Sequence, residues 1–216
     1  MGGGGSEADE ARLWAEAFPT GAKVAIWPFA QTTPEGRRGA GDWMTAALSA
    51  IGQYAVEVWT TPPASTRLPE GVDIIAIPGG NTFALLHELR SLGLMNILQG
   101  HIDAGGAVYG GSAGAILAGC DIGIAATADA NDVGLKDLRG LNLVDGLDVL
   151  PHYTTEQEDT ARAHAIGTGR SVLCLPETSG VISTATAELR NVGPSTAYIV
   201  HPERTETLEA SGSCPP

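Results

Sequence analysis

The sequence predicts a domain of the α/β class, with a mostly parallel sheet covered by helices on both faces. Three observations carry this. The 216 residues suffice for one such domain with a full hydrophobic core. Short apolar runs alternate with longer amphipathic ones along most of the chain. Several of those runs end directly in glycine-rich turns, as strands that feed helices do.

In order, residues 23–30 (KVAIWPFA) read as a first strand, 41–52 (GDWMTAALSAIG) as a helix stopped by glycine, and 54–60 (YAVEVWT) as the next strand. Residues 72–80 (VDIIAIPGG) form a buried strand that ends in a glycine pair. One or two helices follow, and then the strand 107–111 (AVYGG). Residues 147–153 (LDVLPHY) and 171–177 (SVLCLPE) are strands flanking a polar helix around 155–166. The segment after residue 180 reads as short antiparallel strands. The start, MGGGGSEADEARLW, lies outside this pattern. Residues 1–20 are expected to be a flexible head, of linker origin over 1–6, with the domain spanning 21–204 and a frayed tail at 205–216.

Composition removes several classes of function. Twelve Lys and Arg against 25 Asp and Glu give a net charge of -13, the wrong sign for binding a phosphate backbone, so no nucleic-acid partner is expected. No apolar run is long enough to span a membrane. Cys120, Cys174 and Cys214 are far apart and form no C-x-x-C pair, which argues against a disulfide framework or a zinc site. With no basic, apolar leader at the start, the expectation is a cytoplasmic protein.

The chemistry concentrates in GAVYGGSAGAIL, residues 106–117. Gly110-x-Ser112-x-Gly114 matches the nucleophile elbow, a sharp strand-to-helix turn that lifts a serine hydroxyl off the sheet. An oxyanion formed there would lie beside the N–H of Ala113. A glycine-rich chain can also use such a turn merely to close a strand. A serine nucleophile needs a base. Of the five histidines, His87, His101, His164 and His201 read as packing or surface residues, whereas His152 follows a hydrophobic strand and a proline, at a strand's carboxyl end. Between Ser112 and His152 the acids are Asp121, Asp129, Asp132, Asp137, Asp145 and Asp148, and position does not choose among them as the group that orients the imidazole.

The stretches AIPGGNTFALLHELR, YGGSAGAIL, ADANDVGL, LPHY and CLPET, in this order, resemble the aspartyl dipeptidase (peptidase E) family over roughly residues 23 to 200. These are serine peptidases on a flavodoxin-like sheet related to class I glutamine amidotransferases. The resemblance implies a three-layer sandwich with short antiparallel strands near the C-terminus. It implies Ser112 as nucleophile, His152 as base, and Gly80 with Ala113 as the oxyanion-hole amides. Asn131-Asp132 matches the family's acidic segment, so Asp132 is the implied acid, with Asp129 as its rival. Asn81, Thr82, Arg162 and Glu177 are the implied substrate-binding residues. Arg162 would hold the carboxylate of an N-terminal aspartate and Glu177 would face the free amine. The implied substrate is a short peptide, cut through an acyl-enzyme by a monomer or homodimer without metal or cofactor. The alternatives are a cyanophycinase-like hydrolase of β-aspartyl peptides and a non-catalytic amidotransferase-like binding module.

Overall fold

A computed structural model describes residues 1–61, 67–186 and 188–211. The first sheet contains β1 (Lys23–Ile26), β2 (Ala55–Val58), β3 (Ile74–Ile77) and β4 (Ala107–Gly110), all parallel, in the order β2-β1-β3-β4. All four residues of β3, Ile-Ile-Ala-Ile, are buried, as a strand with helices on both faces requires. The side chains divide with the two-residue period of the pleat. Val24, Ile26, Ile74 and Ala76 pack on one face against Leu13, Trp14, Phe18, Met44 and Leu48. Ala25, Trp27, Ile75 and Ile77 pack on the other against Phe83, Leu85, Leu89, Leu98 and Leu117.

The helices of the first face are α1 (Ala11–Ala17) and α2 (Pro34–Ile51), and those of the second are α3 (Thr82–Ser91), α4 (Leu94–Asp103) and α5 (Ala113–Ala118). α2 starts earlier than the apolar periodicity indicates. The Thr33 side chain accepts from the Gly36 amide at 3.0 Å and Pro34 occupies the first turn, so capping extends the helix through the polar PEGRRGA segment.

A second sheet, in the order β10-β9-β6-β5, joins β5 (Asp148–Pro151) in parallel to β6 (Val172–Leu175), with β9 (Ala197–Val200) and β10 (Thr205–Leu208) antiparallel. α6 (Glu158–Thr168) connects β5 to β6, and β7 (Val181–Ser183) with β8 (Leu189–Asn191) forms a hairpin. Three-layer α/β architecture with antiparallel strands near the C-terminus is therefore present, although the described strands form two four-stranded sheets and a hairpin. No helix of the described residues is long and apolar enough to cross a membrane.

The expected boundaries need correction at both ends. Residues 1–20 are not a free head: Leu13, Trp14 and Phe18 are core residues, and Gly2 bridges Gly111 on one side and Gly180 on the other. Residues 205–208 are not tail but β10, paired with β9. Of the tail, residues 212–216, including Cys214, lie outside the described residues.

Candidate active site

β4 runs straight into α5, and Ser112 stands at the joint with φ 52 and ψ -110. A non-glycine residue there costs roughly 1–3 kcal/mol, which the surrounding packing must hold in place. Two glycines make the turn possible. A Cβ on Gly110 would lie 2.3 Å from the Gly114 carbonyl oxygen, and one on Gly114 would lie 2.3 Å from the Ile77 carbonyl oxygen. The strand, the turn and the helix approach too closely for any side chain at either position.

β5 delivers the partner. His152 follows Pro151 with φ 53, and its Nε2 accepts from the Ser112 hydroxyl at 3.0 Å. On the far side of the ring, Nδ1 donates to Glu177 Oε1, also at 3.0 Å. The register of the second sheet explains this meeting. Pro151 pairs with Leu175, so the residues just beyond both strand ends emerge side by side.

Glu177, assigned to substrate by resemblance, is thus the carboxylate on the imidazole. The aspartates are occupied elsewhere or face solvent. Asp132 is exposed and makes no hydrogen bond among the described residues. Asp129 accepts from the Thr82 amide at 2.8 Å, at the start of α3. Asp137 pairs with Arg139 and Arg90. Asp148, fully buried, receives Arg170 Nε, His164 Nε2 and the Asp121 amide. Burial raises the Asp148 pKa, but the bonds from His164 and Arg170 outweigh it and hold the carboxyl below its ordinary 3.8.

The other assigned residues separate. Gly79 lies against Ser112, since a Cβ there would stand 3.1 Å from the serine Cβ, and Gly80 is next along. The amides of Gly80 and Ala113 donate to no backbone carbonyl among the described residues. Asn81 caps α3: its side chain accepts from the Ala84 amide and donates to the Ala130 carbonyl, each within 2.9 Å. Thr82 is fully buried in the first turn.

Arg162 is not in the cleft. It donates to the His201 carbonyl at 3.0 Å and the Thr205 hydroxyl at 2.8 Å, and pairs with Glu158, so it braces α6 on the β9–β10 turn. Its position after the histidine suggested a substrate clamp, but the segment that follows residue 200 supplies partners which motif spacing does not show.

The cleft around Ser112 and His152 has a volume of about 220 Å³ and is lined by Glu10, Trp43, Pro78 and Tyr109 together with glycine backbone. Glu10 was not anticipated. Its side chain is buried and accepts from Trp14 Nε1 at 3.0 Å, the Tyr109 hydroxyl at 2.5 Å and the Gly4 amide at 2.9 Å. Burial, with the Glu10 carboxylate beside it, pushes the Tyr109 phenol well up, so Tyr109 stays a donor. The only hint in the sequence was the spacing of Glu10 and Trp14, four apart and hence on one helical face.

The family model of peptidase family S51 matches residues 9–182. Peptidase E of Salmonella paratyphi C is 31% identical over 155 residues, 65% of each chain. An uncharacterized peptidase of Pasteurella multocida is 43% identical over 84 residues, 38% of this chain and 40% of that protein. This chain thus spans less than two thirds of either relative. A Listeria monocytogenes EGD-e structure that carries the peptidase E name superposes with a TM-score of 0.62 at 25% identity, covering 95% of this chain and 96% of that one. A peptidase from an acI-B1 Actinobacterium gives 0.68 at 15% identity, covering 97% and 93%, a likeness of fold.

Proposed function

The chain belongs to peptidase family S51, and from that premise we propose that it is a serine peptidase of short peptides, working through Ser112, His152 and Glu177. One observation carries the reading: a single imidazole lies 3.0 Å from a serine hydroxyl on one nitrogen and 3.0 Å from a carboxylate on the other. Such a relay needs no further group to activate the serine.

In the proposed cycle, Ser112 Oγ attacks the substrate carbonyl carbon as its proton passes to His152 Nε2. Glu177 holds the Nδ1 proton and offsets the charge of the imidazolium. The amides of Ala113 and Gly80 receive the oxyanion, each such donor contributing about 3 kcal/mol. His152 then gives its proton to the leaving amine, which leaves an acyl ester on Ser112. A water molecule repeats the sequence, with His152 as base, and frees the acid product.

The cleft suits a small substrate. Its 220 Å³ falls below the roughly 300–1,000 Å³ of pockets that enclose drug-sized ligands. A preference for an N-terminal aspartate needs a cation facing the substrate side chain. Arg162 is engaged elsewhere, and no Lys or Arg is among the described residues lining the cleft. The reading therefore takes short peptides with an uncharged first residue, against the walls of Trp43, Pro78 and Tyr109. The test is a panel of dipeptide amides with neutral, aspartyl and isoaspartyl first residues. Neutral substrates should turn over fastest, and Ser112→Ala should abolish all turnover. Equal turnover by Ser112→Ala would overturn the peptidase reading. A dominant aspartyl or isoaspartyl rate would overturn only the specificity.

A further inference from the structure

Gly3 and Gly4 lie directly against the proposed catalytic histidine. The Gly3 carbonyl accepts the His152 amide at 2.7 Å, a backbone bond to a residue with positive φ. Gly4 covers the imidazole: a Cβ at Gly4 would stand 2.4 Å from His152 Cε1 and 2.5 Å from Nε2. The Gly4 amide is tied to Glu10, itself held by Trp14 and Tyr109. On its other side the segment reaches the elbow, since the Gly2 amide donates to the Gly110 carbonyl at 2.9 Å. One short stretch of backbone therefore touches the supports of both the nucleophile and the base.

We propose that Gly2–Gly5, anchored by Glu10, is a positioning element of the Ser112–His152 pair. It holds the His152 backbone in its left-handed conformation and sets the plane of the ring, so that Nε2 meets Ser112 while Nδ1 meets Glu177. The inference rests on the serine-peptidase reading. It also explains the glycine run as a packing requirement: a side chain at Gly4 would enter the imidazole, and one at Gly3 would lie 1.9 Å from the Pro176 carbonyl oxygen. A side chain at Gly4 would also have to adopt φ 92, which favours glycine.

The experiment measures the rate at which a fluorophosphonate labels Ser112, as a function of pH, in the wild type, Gly4→Ala and Glu10→Gln. Gly39→Ala, whose methyl would meet open space, is the control. Misplacing a catalytic group by an ångström can cost about a hundredfold. Both test variants should label at least about tenfold more slowly, with the acid limb of the profile displaced because the ring no longer faces Glu177 squarely. A purely structural role would lower the melting temperature or the labelled fraction, and would leave the rate and acid limb of the folded fraction unchanged. Wild-type rates and profiles in the folded variants would overturn the inference, as would faster labelling, which marks a cover rather than a support. If neither variant folds, amide exchange in the wild type decides: slow exchange at His152 is expected, and exchange as fast as an open loop would overturn the proposal. Absence of labelling in the wild type would instead sink the peptidase reading on which it rests.

Discussion

Glu177→Gln is the substitution that bears most directly on the choice of acid. It keeps the shape of the side chain and removes the charge that faces the imidazolium. The oxygen and nitrogen are 3.0 Å apart, which puts the charge centres about 4 Å apart. At that separation the attraction is about 1 kcal/mol in bulk water and about 4 kcal/mol near a protein surface. The His152 and Glu177 side chains are 45% and 59% exposed, so the effective value lies between these limits, near 2 kcal/mol. That corresponds to a loss of roughly thirtyfold in kcat/KM. The loss is smaller than the ~10⁴-fold known for a buried triad aspartate, because water already screens this pair. The assay is hydrolysis of a neutral dipeptide amide by the wild type, Glu177→Gln and Asp132→Asn. Asp132→Asn should remain within about twofold of the wild type, since Asp132 is exposed and makes no hydrogen bond among the described residues. A loss confined to Asp132→Asn, with Glu177→Gln unaffected, would show that Asp132 and not Glu177 orients the imidazole.

Three further outcomes follow. Gly110→Ala should unfold the elbow or abolish turnover, because its methyl would lie 2.3 Å from the Gly114 carbonyl oxygen; circular dichroism and the peptide assay check this. Arg162→Ala should leave the ratio of aspartyl to neutral turnover unchanged and lower stability in urea by about 1–3 kcal/mol, as its bonds to Thr205 and the His201 carbonyl vanish. Asp148 gives stability a defined dependence on pH. Its folded-state pKa lies below the ordinary 3.8, so its contribution is complete above that value and is lost as pH falls through the folded value. The stability difference between the wild type and Asp148→Asn should therefore shrink as pH falls below 3.8 in urea melts. A difference that grows on acidification would contradict the sign.

Much of the fold could be read because its physics is local. β3 and β6 are short apolar runs with every residue buried, and each was recognisable from composition and flanking glycine or proline. The elbow was equally legible, since Gly110 and Gly114 are demanded by backbone contacts within the motif itself. α1 gives little signal because its buried residues, Leu13 and Trp14, with Phe18 just beyond its end, are few and follow a glycine run that resembles a linker. The contact of Glu177 with His152 depends on the pairing of β5 with β6, a register that no local pattern encodes, and this carboxylate follows both the serine and the histidine in the chain. Arg162 shows the converse. Its residue type and position fitted a clamp, but residues forty positions downstream claim it.

The most direct test of the account is the site of covalent capture. The intact protein is treated with a fluorophosphonate and digested, and the adduct is located by mass spectrometry in the wild type and in His152→Ala. A single adduct on Ser112 is expected, lost or slowed by several orders of magnitude without His152. An adduct on another residue, or one on Ser112 that forms as fast in His152→Ala, would contradict it.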